Sequence, residues 1–311
     1  MTLHHSPTPA PPTAPATGRR HAGAVRAALA AALATAAVTA PATPAGAQGR
    51  PAHPAAGEPV RYVALGDSYS SGLGIPEQTD LNCGRSSSDY PHLVAQSLGA
   101  ASFTDVTCAG ATTQDMTQRQ GSAPAQLDAL RPDTTLVTLG IGGNDLDLTG
   151  TITRCVILAN LAPNAAPCKA SYTVLGQDGI RRLINATAPR VEAVLKEIHR
   201  RSPQATVLLV GYPAIVPDDG SACRDLIPFA TGDFPWFRDK EKELDSMLAE
   251  QADVYDATYV DLYGPSIGHD ACEPDGVRWI EPRATDTAAG FHPNATGHQS
   301  AATAVRKALT P

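Results

Sequence analysis

Between residues 60 and 309, short apolar runs alternate with stretches in which apolar positions recur every three or four residues. Five runs read as buried strands: Tyr62–Leu65, Phe103–Thr107, Thr135–Gly140, Thr206–Val210 and Thr258–Leu262. Helical spacing marks Tyr90–Leu98, Ala123–Leu130, Gly179–Arg200, Trp236–Gln251 and a last helix over Asn294–Leu309. Strands that are apolar throughout, separated by helices, predict an α/β domain with a parallel sheet covered on both faces. The stretch Asp147–Gln177 has no strong period and is expected to form a long functional loop over the sheet edge.

The residues ahead of this domain read differently. Arg19, Arg20 and Arg26 precede an Ala/Val/Leu-rich run that ends in Ala45-Gly46-Ala47, the pattern of a secretory signal peptide over residues 1–47. Thr and Pro interrupt the run, which makes it too weak for a membrane span. The arginine pair invites a twin-arginine route, yet the hydrophobic residues that normally follow such a pair are missing. Residues 48–58, rich in Pro, Ala and Gly, read as a flexible lead-in, which leaves 59–311 as a single domain.

Composition narrows the chemistry. The net charge of −7 is spread along the chain, with no basic stripe for nucleic acid and no polybasic helix for permanent membrane attachment, and a monomer is expected. Six cysteines in an exported chain point to disulfides, although six allow 15 pairings. Sequential pairing is expected: Cys83–Cys108, Cys155–Cys168 and Cys223–Cys272. The second pair closes a small loop within one connection, which favours it on loop-closure grounds. No Cys-x-x-Cys or Cys/His spacing supports a zinc site made by the cysteines.

The first strand stops abruptly at Gly66-Asp67-Ser68 and so places the Ser68 hydroxyl at its C-terminal edge, where open α/β sheets bind ligands. Three later segments lie at corresponding places. Gly110 follows the second strand, and its missing Cβ lets a backbone N–H approach a substrate. Gly140-Ile141-Gly142-Gly143-Asn144-Asp145 follows the third strand, and Asn144 offers a side-chain N–H2. His292 lies in the loop entering the last helix, before Pro293. A nucleophile, two donors and a base are the inventory for attack on an ester carbonyl. In this reading Ser68 attacks, His292 is the general base, and the N–H groups of Ser68 and Gly110 with the Asn144 amide form the oxyanion hole. Asp67 and Asp145 are read as shaping their loops.

These four blocks, in order over nearly all of residues 60–309, resemble those of the SGNH, or GDSL, hydrolases. Thr107-Cys108-Ala109-Gly110-Ala111-Thr112 and His269-Asp270-Ala271-Cys272 are especially similar to the secreted actinobacterial lipases, esterases and phospholipases with three disulfides. The resemblance implies a three-layer α/β/α sandwich with a flavodoxin-like, parallel five-stranded sheet, the same sequential disulfides, and no metal or organic cofactor. It implies an ester substrate, lipid above all, with transient contact at a lipid interface.

One position departs from the family pattern. The Asp usually found three residues before the histidine is replaced by Ala289. A backbone carbonyl, that of Gly290 in preference to Ala289, is expected to accept the imidazole Nδ1–H and leave a Ser-His dyad; Asp286 is the alternative. His298 competes as base but lies inside the last helix, where capping or packing suits it. Trp236, Phe234, Phe237 and Ile227 read either as an acyl groove or as ordinary core. A carbohydrate acetyl esterase is the rival activity on the same fold. A phosphate-holding binding module on the Gly66–Gly74 loop is the non-enzymatic rival, weakened by the lack of Gly-Lys-Ser/Thr.

Overall fold

The computed structural model describes residues 59–310. The signal-peptide and lead-in readings of residues 1–58 lie outside the described residues. Five strands form one sheet: β1 (Arg61–Gly66), β2 (Ser102–Asp105), β3 (Leu136–Gly140), β4 (Thr206–Val210) and β5 (Thr258–Val260). They are all parallel, in the order β2-β1-β3-β4-β5. The order reverses at β1, so the crevice between the C-terminal ends of β1 and β3 is the topological switch point of a flavodoxin-like sheet.

The period-2 geometry of β1 divides the core into two layers. Tyr62 and Ala64 face a cluster with Tyr90 and Val94 from helix α2 (Tyr90–Leu98) and Ala301 and Val305 from the last helix, Ala295–Ala308. Val63 and Leu65 face the other cluster, with Val191, Leu195 and Ile198 of the long helix Gly179–Arg201 and Leu244 and Leu248 of Asp233–Val254. Helices thus cover both faces and give the three-layer sandwich. Six cysteines pair as Cys83–Cys108, Cys155–Cys168 and Cys223–Cys272. No helix among the described residues is long and apolar enough to cross a membrane.

Two segments depart from the sequence reading. Asp147–Gln177 is not a long loop. It folds as helix α3 (Leu148–Ala159), helix α4 (Pro167–Tyr172) and the start of a small hairpin that pairs Thr173–Val174 with Gln177–Asp178. The buried positions of α3 are Thr151, Cys155 and Ala159, four residues apart on one face. The large apolar residues of α3 are not its buried ones: Leu148, Ile152 and Val156 are half-buried and Ile157 is exposed, so the pattern along the chain does not mark the face that packs. Conversely, Ala123–Leu130 shortens to a 3₁₀ turn over Gln126–Ala129. The buried Gln126 faces β1, and its amide brackets the Gly66 peptide, accepting from its N–H at 2.8 Å and donating to its carbonyl at 2.9 Å. The second and fifth strands also end two residues earlier than their apolar runs, at Asp105 and Val260.

Candidate active site

Strand β1 ends where no side chain fits. A Cβ on Gly66 would lie 2.5 Å from Ser70 Oγ and 2.8 Å from the Gly140 carbonyl oxygen. Asp67 then caps the one-turn helix α1 (Ser68–Ser71), accepting from the Tyr69 N–H at 2.9 Å. Ser68 is therefore the first residue of a turn held at the switch point, and its side chain is buried.

The His292 imidazole meets it: Nε2 lies 2.8 Å from Ser68 Oγ, and Nδ1 lies 2.7 Å from the Gly290 carbonyl oxygen. A carbonyl only accepts, so Nδ1 carries the proton and Nε2 is left to accept from the serine hydroxyl. Burial holds the imidazole below its ordinary pKa, against an opposing pull from the Gly290 carbonyl. Asp286 is exposed and makes no hydrogen bond or ion pair with His292 among the described residues.

The loop carrying His292 is clamped on both sides. The Phe291 N–H donates to the Glu281 carbonyl at 2.6 Å, and the Glu281 N–H donates back to the His292 carbonyl at 3.0 Å. Tyr69 Oη donates to the Phe291 carbonyl at 2.5 Å, and its ring lies 4.9 Å from the imidazole. Phe291 has φ +59°, a left-handed conformation rare for a residue with a side chain. These bonds hold it there, immediately before the histidine.

Asn144 starts the short turn after β3, and its Nδ2 donates to the Ala111 carbonyl at 2.9 Å. With Ser68, Gly143 and His292 it lines a cavity of about 240 Å³, whose wall is completed by Leu148, Ile152, Tyr212 and Phe291. Gly110 sits one residue before Ala111 with φ +79°; it is exposed and is not among the residues lining that cavity. Neither the Ser68 nor the Gly110 N–H has a backbone acceptor among the described residues.

Asp67 and Asp145 both tie loops together. Asp145 accepts from the Thr113 N–H at 2.9 Å and from its hydroxyl at 2.5 Å, which joins the asparagine turn to the glycine turn. Asp67 Oδ2 accepts from Tyr212 Oη at 2.6 Å, and the same phenol oxygen accepts from the Gly143 N–H at 2.9 Å. Burial pushes the Asp67 carboxyl up to about 7 despite these donors. Tyr212, Tyr69 and Gln126 escaped the sequence reading. Only the place of Tyr212 just past β4, at the same sheet edge, was a usable signal.

The remaining candidates sit apart. His298 is buried in the last helix, where its Nδ1 accepts from the Tyr90 N–H at 3.1 Å. His269 stacks on Trp279 at 4.0 Å, and Asp270 accepts from the Cys272 N–H, both as loop structure. Phe234 and Ile227 are core. Trp236 and Phe237 also line a small apolar cavity of about 30 Å³, which shares Leu148 and Tyr212 with the larger one.

Comparison with known proteins agrees with this geometry. Residues 64–300 match the model of the GDSL-like Lipase/Acylhydrolase family. The chain is 42% identical over 246 residues to Lipase 2 of Streptomyces coelicolor, covering 76% of this chain and 82% of that protein. Phospholipase A1 from Streptomyces albidoflavus superposes with a TM-score of 0.68 at 27% identity, over 80% of this chain and 99% of that one. An extracellular lipase from Streptomyces rimosus superposes equally, with a TM-score of 0.68 and 27% identity over 80% of this chain and 99% of that one. The match spans most of the domain and includes every segment that builds the Ser68 cavity, so this chain belongs to the GDSL-like lipase and acylhydrolase family of carboxylic-ester hydrolases.

Proposed function

We propose that the protein is a secreted, monomeric lipid esterase that works through an acyl-enzyme on Ser68, with His292 as general base and no charged third member. The observation that carries this reading is the chain of contacts from the Gly290 carbonyl through His292 to Ser68 Oγ, at 2.7 and 2.8 Å. As Oγ attacks the ester carbonyl carbon, Nε2 takes its proton. The oxyanion is received by the N–H groups of Ser68 and Gly110 and by the Asn144 amide. Collapse breaks the C–O bond to the alcohol, which leaves with the proton from Nε2. Water then attacks the acyl-enzyme and gives a proton to Nε2; collapse breaks the acyl bond to Oγ, Nε2 returns the proton to Oγ, and the acid leaves the free serine. The Gly290 carbonyl fixes the tautomer and supplies a dipole where the family pattern has a full charge.

The lipid preference rests on the apolar wall of Leu148, Ile152, Tyr212 and Phe291, and on the relatives named as lipases and a phospholipase. Export is supported by the disulfides and by the N-terminal pattern. A fluorophosphonate probe should label the protein and fail to label Ser68→Ala. In a chain-length series on glycerides and phosphatidylcholine, medium or long acyl chains should be cleaved best. Release of acetate from acetylated polysaccharide, with no long-chain activity, would overturn the lipid assignment while leaving the serine chemistry intact.

A further inference from the structure

Away from the Ser68 cavity, on the outer side of β1, three side chains converge that the esterase chemistry does not use. Asp89 is the cap of α2, His92 lies in its first turn, and Asp105 ends the edge strand β2. One ligand atom from each lies within 4.8 Å of the others. His92 Nδ1 is 2.8 Å from Asp89 Oδ1 and 3.7 Å from Asp105 Oδ2. The Asp89 side chain is 0% exposed and that of Asp105 6% exposed, yet Asp89 Oδ2 and Asp105 Oδ2 have no hydrogen-bond partner among the described residues.

Two buried carboxylates with unmet oxygens are costly unless a cation joins them. The other carboxylate oxygens are engaged: Asp89 Oδ1 accepts from the His92 N–H at 2.8 Å, and Asp105 Oδ1 accepts from the Thr107 N–H and hydroxyl at 2.9 and 2.7 Å. The nearby guanidinium of Arg85 is directed elsewhere, to the Thr107 carbonyl and the Asp80 carboxylate.

We propose that Asp89, His92 and Asp105 form a structural site for a divalent transition-metal ion of the zinc type. An imidazole nitrogen with two carboxylates is a donor set for zinc, whereas calcium and magnesium take all-oxygen ligands. Tetrahedral zinc with bonds of about 2.0–2.1 Å separates its ligand atoms by roughly 3.3 Å. His92 Nδ1 lies 2.8 Å from Asp89 Oδ1 and 3.7 Å from Asp105 Oδ2, so an ion taking Nδ1, Asp105 Oδ2 and an Asp89 oxygen would need the side chains to adjust around it. Binding would replace the Nδ1 proton, and water passing the His92 side chain, which is 26% exposed, would take the fourth position.

The site's place in the fold says what the ion would do. It would tie the start of α2 to the end of β2. Asp89 also packs on Gly72, where an added Cβ would lie 3.0 Å from Asp89 Cβ, and Gly72 ends the turn that begins with Ser68. The ion would thus brace the nucleophile turn from behind without touching substrate.

The test uses untagged full-length protein, stripped with a chelator and titrated with zinc by calorimetry, with Tm followed in parallel. One zinc per chain should bind in the micromolar range or tighter and raise Tm. Asp105→Asn, which keeps the acceptor for Thr107, and His92→Gln should each weaken binding at least tenfold and abolish the Tm rise. Their metal-free Tm and their fluorophosphonate labelling of Ser68 should stay close to those of the parent, which separates loss of the ion from loss of the fold. Absence of zinc binding, binding unchanged in both variants, or calcium bound as tightly as zinc would each overturn the assignment.

Discussion

Two histidines six residues apart have opposite fates, and the difference lies in what meets Nδ1. His292 stands in a clamped loop and faces a carbonyl, which accepts. His298 stands one turn into a helix and faces the Tyr90 N–H, which donates. The first imidazole must keep its proton on Nδ1 and offers Nε2 as a base. The second must keep its proton on Nε2, which has no partner among the described residues, and the residue lines a small cavity of about 20 Å³. Both are desolvated and both have depressed pKa values, so burial does not distinguish them. The direction of one backbone hydrogen bond does.

The strongest test of this contrast exchanges the roles. His292→Ala should lower kcat by about 10⁴-fold or more, as loss of a general base does in serine hydrolases. His298→Asn, whose Oδ1 can still accept from Tyr90, should stay within about threefold of the parent. If His298→Asn were instead the inactive one, the assignment of base would be reversed.

Next in size is the oxyanion donor that the same mechanism needs. Asn144→Ala should lower kcat by roughly 100- to 1,000-fold with little change in KM. A purely structural role for the bond from Asn144 to Ala111 would appear as a lowered Tm at nearly full activity.

The two pKa depressions have separate readouts. For His298, burial pushes the pKa down to about 3, while the unfolded imidazole titrates near 6.5. As pH falls the unfolded chain takes up this proton first, so the stability contributed by neutral His298 is present above about pH 6.5 and is lost toward pH 3. The slope is at most about 1.4 kcal/mol per pH unit. Urea unfolding at pH 6.5 and 4.5 should show His298→Asn losing about 2 kcal/mol less than the parent over that interval. For His292 the same depression appears in catalysis: the acid limb of kcat/KM should fall below about pH 6.5.

The smallest expected effect concerns the missing acid. Asp286→Asn should leave kcat within about twofold and the acid limb unmoved, because the Gly290 carbonyl already occupies Nδ1. A loss of several orders of magnitude in a folded variant would show that a carboxylate does assist His292.

The sheet was legible from the chain because its three central strands, β1, β3 and β4, are buried and almost wholly apolar runs, and because the long helices on its faces carry their own period. Helix α3 was not legible. Its buried face is Thr151, Cys155 and Ala159, and its contribution to the cavity comes from Leu148 and Ile152 on the neighbouring side. The side chains that pack are small, while the larger apolar ones of the same helix stay partly exposed, so the pattern along the chain does not mark the face that tertiary packing buries. The turn at Gln126 failed for the opposite reason: an apolar pattern gave way to the demand of the Gly66 peptide for an amide partner.

By itself, then, the sequence determined the parallel sheet, the strand ends at which Ser68 and Asn144 emerge, the place of His292 in the loop entering the last helix, and the absence of an acid at position 289. These follow from local patterning, which needs no partner to be read. Only the tertiary structure decided that Gly290 orients His292, that Tyr212 joins Asp67 to Gly143, and that His298 is turned the other way. Each of those rests on a hydrogen bond whose direction depends on which backbone or side-chain group the packed layers bring to within 3 Å or so, and no run of residues carries that information.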